Sequence, residues 1–501
     1  VRYIQAGVAA ALVVGIATWM PALSAPAGAQ FVVAQGADIL SGDPLKGDTG
    51  VDYSVYFQMC DPLVNYDKNW NLVAALATSW KAVDPVTYDF TLRPNAKFQD
   101  GTPVTAADVK FTMDRFLDPK FNALDATDFV DIVKGTEILN PTVVRFHLKV
   151  PYAGFVYQMP YVFPVPQQAV ARLGDAEFAR HPICAGAYRL VEWIPDDHVL
   201  LEASDHYWAG RPKVDRIIIK PIPSSATRAA ALRSGEVDVA VNLSPDQLPA
   251  VRQDPKLRIV AKETGRMEFF IFNTNQKPFD DRRVRQALNY AVDWDAIIRS
   301  IMGGYGRRVA EPAMPYMFGY KPVNAYPYDP ARAKQLLGEA GYGNGLDLTV
   351  ESPNGRYFQD KEIAQAVVGY LQRVGVRATL QTYEWSQYGA RQRTSKWQMG
   401  LWGFVSLYHQ LDDVGFHFEP SRGAHFYSNP ELTKLFEAGR VEGDPAKRKA
   451  IYGKVIDLLV DEAPWLYGVA VLGPYGVNRR VVWEPRSGSD ILFDLNRAIL
   501  R

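Results

Sequence analysis

The sequence predicts an α/β protein built in more than one lobe, and three observations predict it. Its 501 residues exceed what a single hydrophobic core usually organises. Strand-helix-strand alternation recurs, once over 216–241 and again over 346–402. The composition, 48% hydrophobic and 22% charged, is that of a globular chain and excludes a disordered tail or a multi-span membrane protein. Lys+Arg and Asp+Glu both number 55, and no basic block offsets that balance, so the footprint of a nucleic-acid or anionic-lipid binder is missing. Cys60 and Cys184 are too few for a multi-cysteine zinc site or a disulfide framework; at most they form one bridge, and the sequence leaves that pairing open.

Taken in order, the chain opens on Arg2, an apolar run at 6–19 and the small-residue stretch Ser24-Ala25-Pro26-Ala27-Gly28-Ala29, which reads as a secretory leader over 1–29. The run is shorter than the roughly 20 residues that span a bilayer, and no cysteine stands at its exit for a lipid anchor. The expectation is a mature protein outside the cytoplasm. Residues 87–92 alternate as a strand, and Gln99-Asp100-Gly101 turns the chain, the glycine permitting a positive φ. Thr105 opens a helix with Asp108 as its capping-box partner and Val109, Met113 and Phe116 on one face. Residues 188–193 and 199–202 form a hairpin around Pro195-Asp196-Asp197. A strand at 216–222, a helix at 226–234 capped by Ser224 or Ser225 and stopped by Gly235, and a strand at 237–241 make a βαβ unit. A second α/β region follows: an amphipathic helix at 281–292, a helix opened by Asp329-Pro330, a strand at 346–351, a helix at 361–374 stopped by Gly375, and strands at 376–383 and 398–402. Strands joined in this way run parallel through right-handed crossovers.

In open α/β sheets the ligand crevice lies beyond the carboxyl ends of the strands. Those ends carry Arg356 and Tyr357, then Glu384 and Trp385, then the run from Trp402 to Asp413, so each presents an aromatic or a charge suited to a small-molecule pocket. No nucleophile elbow, phosphate loop, zincin helix or dinucleotide fingerprint is present, and Gly341-Tyr342-Gly343-Asn344-Gly345 follows a helix, where it serves as a stop and turn. His409, His417 and His425, with Asp412, Asp413 and Glu419 among them, contain metal-ligand chemistry. Their eight-residue spacing fits no single helical face, so packed or solvated loop histidines are the preferred interpretation.

The motifs that remain carry a family likeness. Leu76-Ala77-Thr78-Ser79-Trp80 precedes Tyr88-Asp89-Phe90-Thr91-Leu92-Arg93-Pro94, which is followed by Phe98-Gln99-Asp100-Gly101-Thr102-Pro103-Val104-Thr105-Ala106-Ala107-Asp108-Val109. Gly186-Ala187-Tyr188, Tyr207-Trp208, Ser234-Gly235-Glu236-Val237-Asp238, Phe272-Asn273-Thr274 and Arg285-Gln286-Ala287-Leu288-Asn289-Tyr290-Ala291-Val292-Asp293 extend it. With these the chain resembles family 5 of the bacterial extracellular solute-binding proteins, the dipeptide-, oligopeptide- and nickel-binding components of ABC importers, over nearly the whole length after the leader. The resemblance implies a two-lobed periplasmic-binding-protein fold of the class II-like type with an extra subdomain: lobe I over 30–265, lobe II over 266–466, and a return to lobe I over 467–501. Strand crossovers fall near 266–272 and 466–472.

It further implies hinge closure around a solute, release to permease subunits at the inner membrane, a periplasmic monomer, no cofactor and no catalysis. Most of the matched motifs are scaffold, Trp80 included. Peptide-binding members hold the ligand's amino group with an aspartate three residues after a tryptophan. Trp402 matches the tryptophan, but Val405 and Ser406 follow, and acids return only at Asp412 and Asp413. Arg356 stands in the loop where a carboxylate-binding arginine is expected, with Tyr357, Trp385, Trp402 and Tyr408 as candidate walls. A short peptide is the first expectation for the solute. An opine or oligosaccharide, a nickel chelate or haem at His409, His417 and His425, and a hydrolase are the alternatives.

Overall fold

The computed structural model describes residues 29–485 and 499–500, apart from 48, 124–126, 393, 395 and 423–425; the leader expected over 1–29 therefore lies almost wholly outside the described residues. An eleven-stranded sheet runs through the molecule in the order Val376–Tyr383, Leu346–Pro353, Met399–Val405, Leu257–Phe272, Trp465–Asn478, Val239–Ala240, Gln30–Gln35, Arg216–Pro221, His198–Ala203 and Tyr188–Ile194, with Gly306–Arg308 added to Trp465–Asn478. Two strands in its middle, Leu257–Phe272 and Trp465–Asn478, are 16 and 14 residues long and pair antiparallel along most of their length. The pairing is interrupted by register shifts between Glu263 and Met267 and between Glu268 and Phe270. At the second, Gly468 lets the backbones approach: a Cβ there would lie 2.0 Å from the Glu268 carbonyl oxygen.

The capping signals position the helices as the sequence predicts. Thr105 precedes helix Ala106–Leu117, and its N–H donates to the Asp108 carboxylate at 3.0 Å while Val109, Met113 and Phe116 are buried. Ser224 caps Ser225–Ser234, and Gly235 ends it in the left-handed region. Asp281 caps Arg282–Ala291 and Asp329 caps Pro330–Glu339. Two results depart from the expectation. The strand read at 237–241 is only Val239–Ala240, because the Val237 N–H still bonds back to Ala231 in the helix stop. The strands on either side of the Ser225–Ser234 crossover are not neighbours, for Gln30–Gln35 lies between them, parallel to both. That strand, the helix Trp385–Gln392 and the full length of the two long strands carry no comparable local signal.

A separate antiparallel sheet, Ala77–Asp84, Thr87–Leu92, Val143–Leu148 and Val133–Asn140 in that order, packs with helix Ala106–Leu117 around its own core of Phe90, Val109, Met113, Phe129, Phe146 and Phe155. Trp80 packs at the rim of that core, as its scaffold interpretation requires. Cys60 and Cys184 form a disulfide across 124 residues, which answers the pairing question the sequence left open. No helix among the described residues is long and apolar enough to cross a membrane.

Candidate functional site

Strand Leu346–Pro353 is flanked by Val376–Tyr383 on one side and Met399–Val405 on the other, parallel to both; the chain leaves Leu346–Pro353 towards Val376–Tyr383 but leaves Met399–Val405 in the opposite direction, towards Trp465–Asn478. Such a reversal opens a crevice at the carboxyl ends of the strands. Four of the sequence candidates meet there. Arg356 is exposed, and its guanidinium lies 4.9 Å from the centre of the Trp385 ring and 5.6 Å from that of Tyr357. Tyr357 meets Trp385 edge-on at 5.9 Å, and Trp385 leans on Trp402 at 6.1 Å. Trp385 is 39% exposed, a large apolar surface for a residue at a sheet end.

The loop that carries Arg356 is held from inside. The buried Asp360 carboxylate accepts the N–H groups of Gly355, Arg356 and Tyr357 at 3.0, 2.8 and 3.0 Å. Tyr388, fully buried, lies 6.1 Å from Trp385 and 6.4 Å from Trp402 and donates its hydroxyl to the Leu401 carbonyl at 2.6 Å. Arg391 grips the buried Glu351 with two bonds of 2.7 Å, so that carboxylate is neutralised behind the aromatic wall. Arg266, from the long strand Leu257–Phe272, places a second guanidinium 5.6 Å from the Tyr357 ring. Burial raises the Tyr357 phenol above its ordinary value, against the pull of Arg266. Sequence reasoning missed Arg266, Asp360 and Tyr388; an acid opening a helix three residues after the site tyrosine was the one available sign, and it concerns Asp360 alone.

The remaining candidates lie elsewhere. Asp412 is 1% exposed and accepts from Arg440 Nε at 2.8 Å and from the Tyr152 hydroxyl at 3.2 Å, with Arg422 at 3.3 Å. Glu419 completes this network with Arg440 and Arg422. Asp413 accepts from the Ser406 hydroxyl and from the Tyr408 N–H, closing the loop on itself. Tyr408 is buried against Tyr161 at 5.6 Å. These groups brace the segment after Met399–Val405, and none is among the rings around Arg356. His409 is buried 3.9 Å from the Trp70 ring, with Tyr66 and Tyr316 around it. His417 is enclosed by Phe416, Trp465 and Phe404, and that burial lowers its imidazole to about 3. His425 lies outside the described residues. Among the described residues no group of three or more His, Cys, Asp or Glu side chains is placed to hold a metal ion.

Comparison with known proteins agrees with this architecture. The family profile described as bacterial extracellular solute-binding proteins, family 5 Middle, matches residues 71–424. The glutathione-binding protein GsiB of Escherichia coli O1:K1 / APEC is 31% identical over 471 residues, covering 90% of this chain and 91% of the relative. In three dimensions the chain is similar to the periplasmic binding protein DppA from Helicobacter pylori in complex with the peptide STSA, with a TM-score of 0.79, 24% identity, and coverage of 94% and 98% of the two chains. It is similar also to the dipeptide binding protein from Pseudoalteromonas sp. SM9913 in complex with Met-Leu, with a TM-score of 0.81, 22% identity, and coverage of 94% and 100%. The fold is therefore that of the periplasmic binding proteins, as the sequence resemblance implies.

Proposed function

The chain belongs to family 5 of the bacterial extracellular solute-binding proteins, and from that membership we propose that its solute is a short peptide, which it carries unchanged to an ABC importer. One observation carries the peptide assignment: Arg356 is exposed above a wall of Tyr357, Trp385 and Trp402 at the carboxyl ends of the sheet. A guanidinium matches a peptide carboxylate bidentately, and the rings supply apolar cover that does not depend on the side chains of the solute. Tripeptides of the glutathione class are the first candidates, given the relatives that bind glutathione.

In this proposal residues 30–265 form one lobe and 266–466 the other, with 467–501 returning to the first. The segments 266–272 and 466–472 serve as the hinge. A solute that touches both lobes stabilises the closed arrangement more than the open one, and the difference in affinity between the two drives closure. The closed form then docks on the permease. No step in this cycle makes or breaks a covalent bond, so the protein is a binding protein and not an enzyme. We place it in the periplasm as a monomer, exported by a leader over 1–29 that is then removed. A disulfide between Cys60 and Cys184 suits an oxidising compartment.

The test is a thermal-shift and calorimetric screen of ligand-stripped protein against glutathione, Met-Leu and Ser-Thr-Ser-Ala, with an opine, an oligosaccharide and a nickel-histidine chelate beside them. A bound peptide at about 100 times its Kd adds about 2.7 kcal/mol of stability. The Arg356→Ala variant should weaken peptide binding by about tenfold or more, the worth of a charge-assisted hydrogen bond. Stabilisation by the opine or the chelate with no response to any peptide would overturn the assignment.

A further inference from the structure

We propose that Glu268 is a positioning residue for this site: it tethers segment 354–360, which carries Arg356 and Tyr357, to the long strand Leu257–Phe272, and removal of its proton favours release of the tether. The inference rests on the solute-binding proposal and concerns the regulation of the same site.

Glu268 is 1% exposed and stands between its register partners Gly403 and Val469, in the part of the strand proposed as hinge. Its Oε1 accepts the Phe358 N–H at 3.0 Å, the next amide after the three that Asp360 holds. Its Oε2 is buried and has no hydrogen-bond partner among the described residues. The Tyr357 ring covers this part of the sheet: a Cβ on Gly403 would come within 2.6 Å of it, so the glycine makes room for the ring.

The charged and titratable groups facing Glu268 are Arg266 from its own strand, and Asp360 and Tyr357 from segment 354–360. The neighbouring strands contribute Gly403, Phe404, Val405, Gly468 and Val469, which carry no charge. A carboxyl in this position loses hydration on both oxygens and regains a hydrogen bond on one. Burial is the largest influence and raises it from 4.5 to about 8, against Arg266 and the Phe358 N–H, which lower it.

A linkage follows. While the segment is closed Glu268 stays protonated through neutral pH; when the segment lifts and water enters, the carboxyl ionises near its ordinary 4.5. Ionisation therefore favours the lifted segment: each pH unit between about 4.5 and about 8 favours it by up to tenfold, and above about 8, where the carboxyl is ionised in both arrangements, the gain levels off. The same difference acts on global unfolding, with full stability below 4.5 and progressive loss as pH rises to about 8.

The test compares wild type with Glu268→Gln, which keeps an oxygen for the Phe358 N–H and does not ionise. Amide exchange at Arg356, Tyr357 and Phe358 should agree between the two proteins near pH 4.5, become faster in wild type by up to tenfold per pH unit towards pH 8, and keep a constant ratio above it. The wild-type Kd for glutathione, divided by that of the variant at the same pH, should rise over the same interval; taking the ratio at matched pH cancels the titration of the ligand itself. An exchange ratio that does not change with pH overturns the proposal. If glutathione binds neither protein at any pH, the glutathione-class assignment fails, while the exchange ratio still decides the role of Glu268. If the variant does not fold, the wild type alone decides: exchange of these three amides, measured against the buried turns of helix Asp360–Arg373, either accelerates between about pH 4.5 and pH 8 and levels off above it, or overturns the proposal by failing to do so.

Discussion

His417 shows what a residue's surroundings do to a motif. Its spacing with His409 and His425 contains metal-ligand chemistry, yet burial among Phe416, Trp465 and Phe404 makes it a neutral core side chain lowered to about 3. The sign of its effect on stability follows. The folded value lies below the ordinary 6.5, so the unfolded chain takes up a proton that the folded chain refuses, and stability falls as pH drops from 6.5 towards 3. The His417→Phe variant should flatten that loss, as measured by the melting temperature between about pH 7 and pH 4; equal acid sensitivity in the two proteins would contradict it. Asp412 can be separated from a ligand-binding role in a similar way. Removing it leaves Arg440 and Arg422 to share the one buried counter-charge of Glu419, and the Asp412→Ala variant should lose about 3 kcal/mol of stability. The fraction that remains folded should keep its peptide affinity within about threefold, because Asp412 is not among the rings around Arg356. A large loss of affinity at full stability would return Asp412 to the binding site.

At the scale of elements, the helices were the most legible. Thr105 with Asp108, Ser224 with Gly235, Asp281, and Asp329 with Pro330 each carry their own stop or start, because a cap is a bargain between neighbours in sequence. The two long strands were legible only in part. Their pairing is decided by contacts about two hundred residues apart, and the close approach at Gly468 has no meaning until the opposite strand is in place. A Gly468→Ala substitution should therefore destabilise the protein by several kcal/mol, more than the roughly 1 kcal/mol typical of a point change, because the atom it meets is backbone and cannot turn aside. A chemical denaturation curve measures the difference. The disulfide is the second device at this scale. It closes a long loop, and replacing both Cys60 and Cys184 by serine should cost about 2–5 kcal/mol in the same measurement.

For the whole molecule, the proposal of two lobes predicts that the radius of gyration contracts when a peptide that raises the melting temperature is added. Small-angle scattering of wild type and of Arg356→Ala, each with and without peptide, checks it: at a peptide concentration that just saturates wild type the contraction should be about half or less in the variant. The sequence by itself determined the α/β class, the caps, the parallel unit over 346–402 and the family, since each is written in local periodicity or in motifs that stand together along the chain. It also brought Arg356, Tyr357, Trp385 and Trp402 forward, because the ends of parallel strands can be read once the strands are. Only the tertiary structure decided that Gln30–Gln35 divides the first crossover unit, that Asp412 is matched by Arg440 and Arg422, and that Glu268 lies sealed beneath Tyr357. Those outcomes depend on burial and on charge partners distant in sequence, and a carboxylate or an imidazole has no fixed character until the fold sets how much water and which opposite charge it keeps.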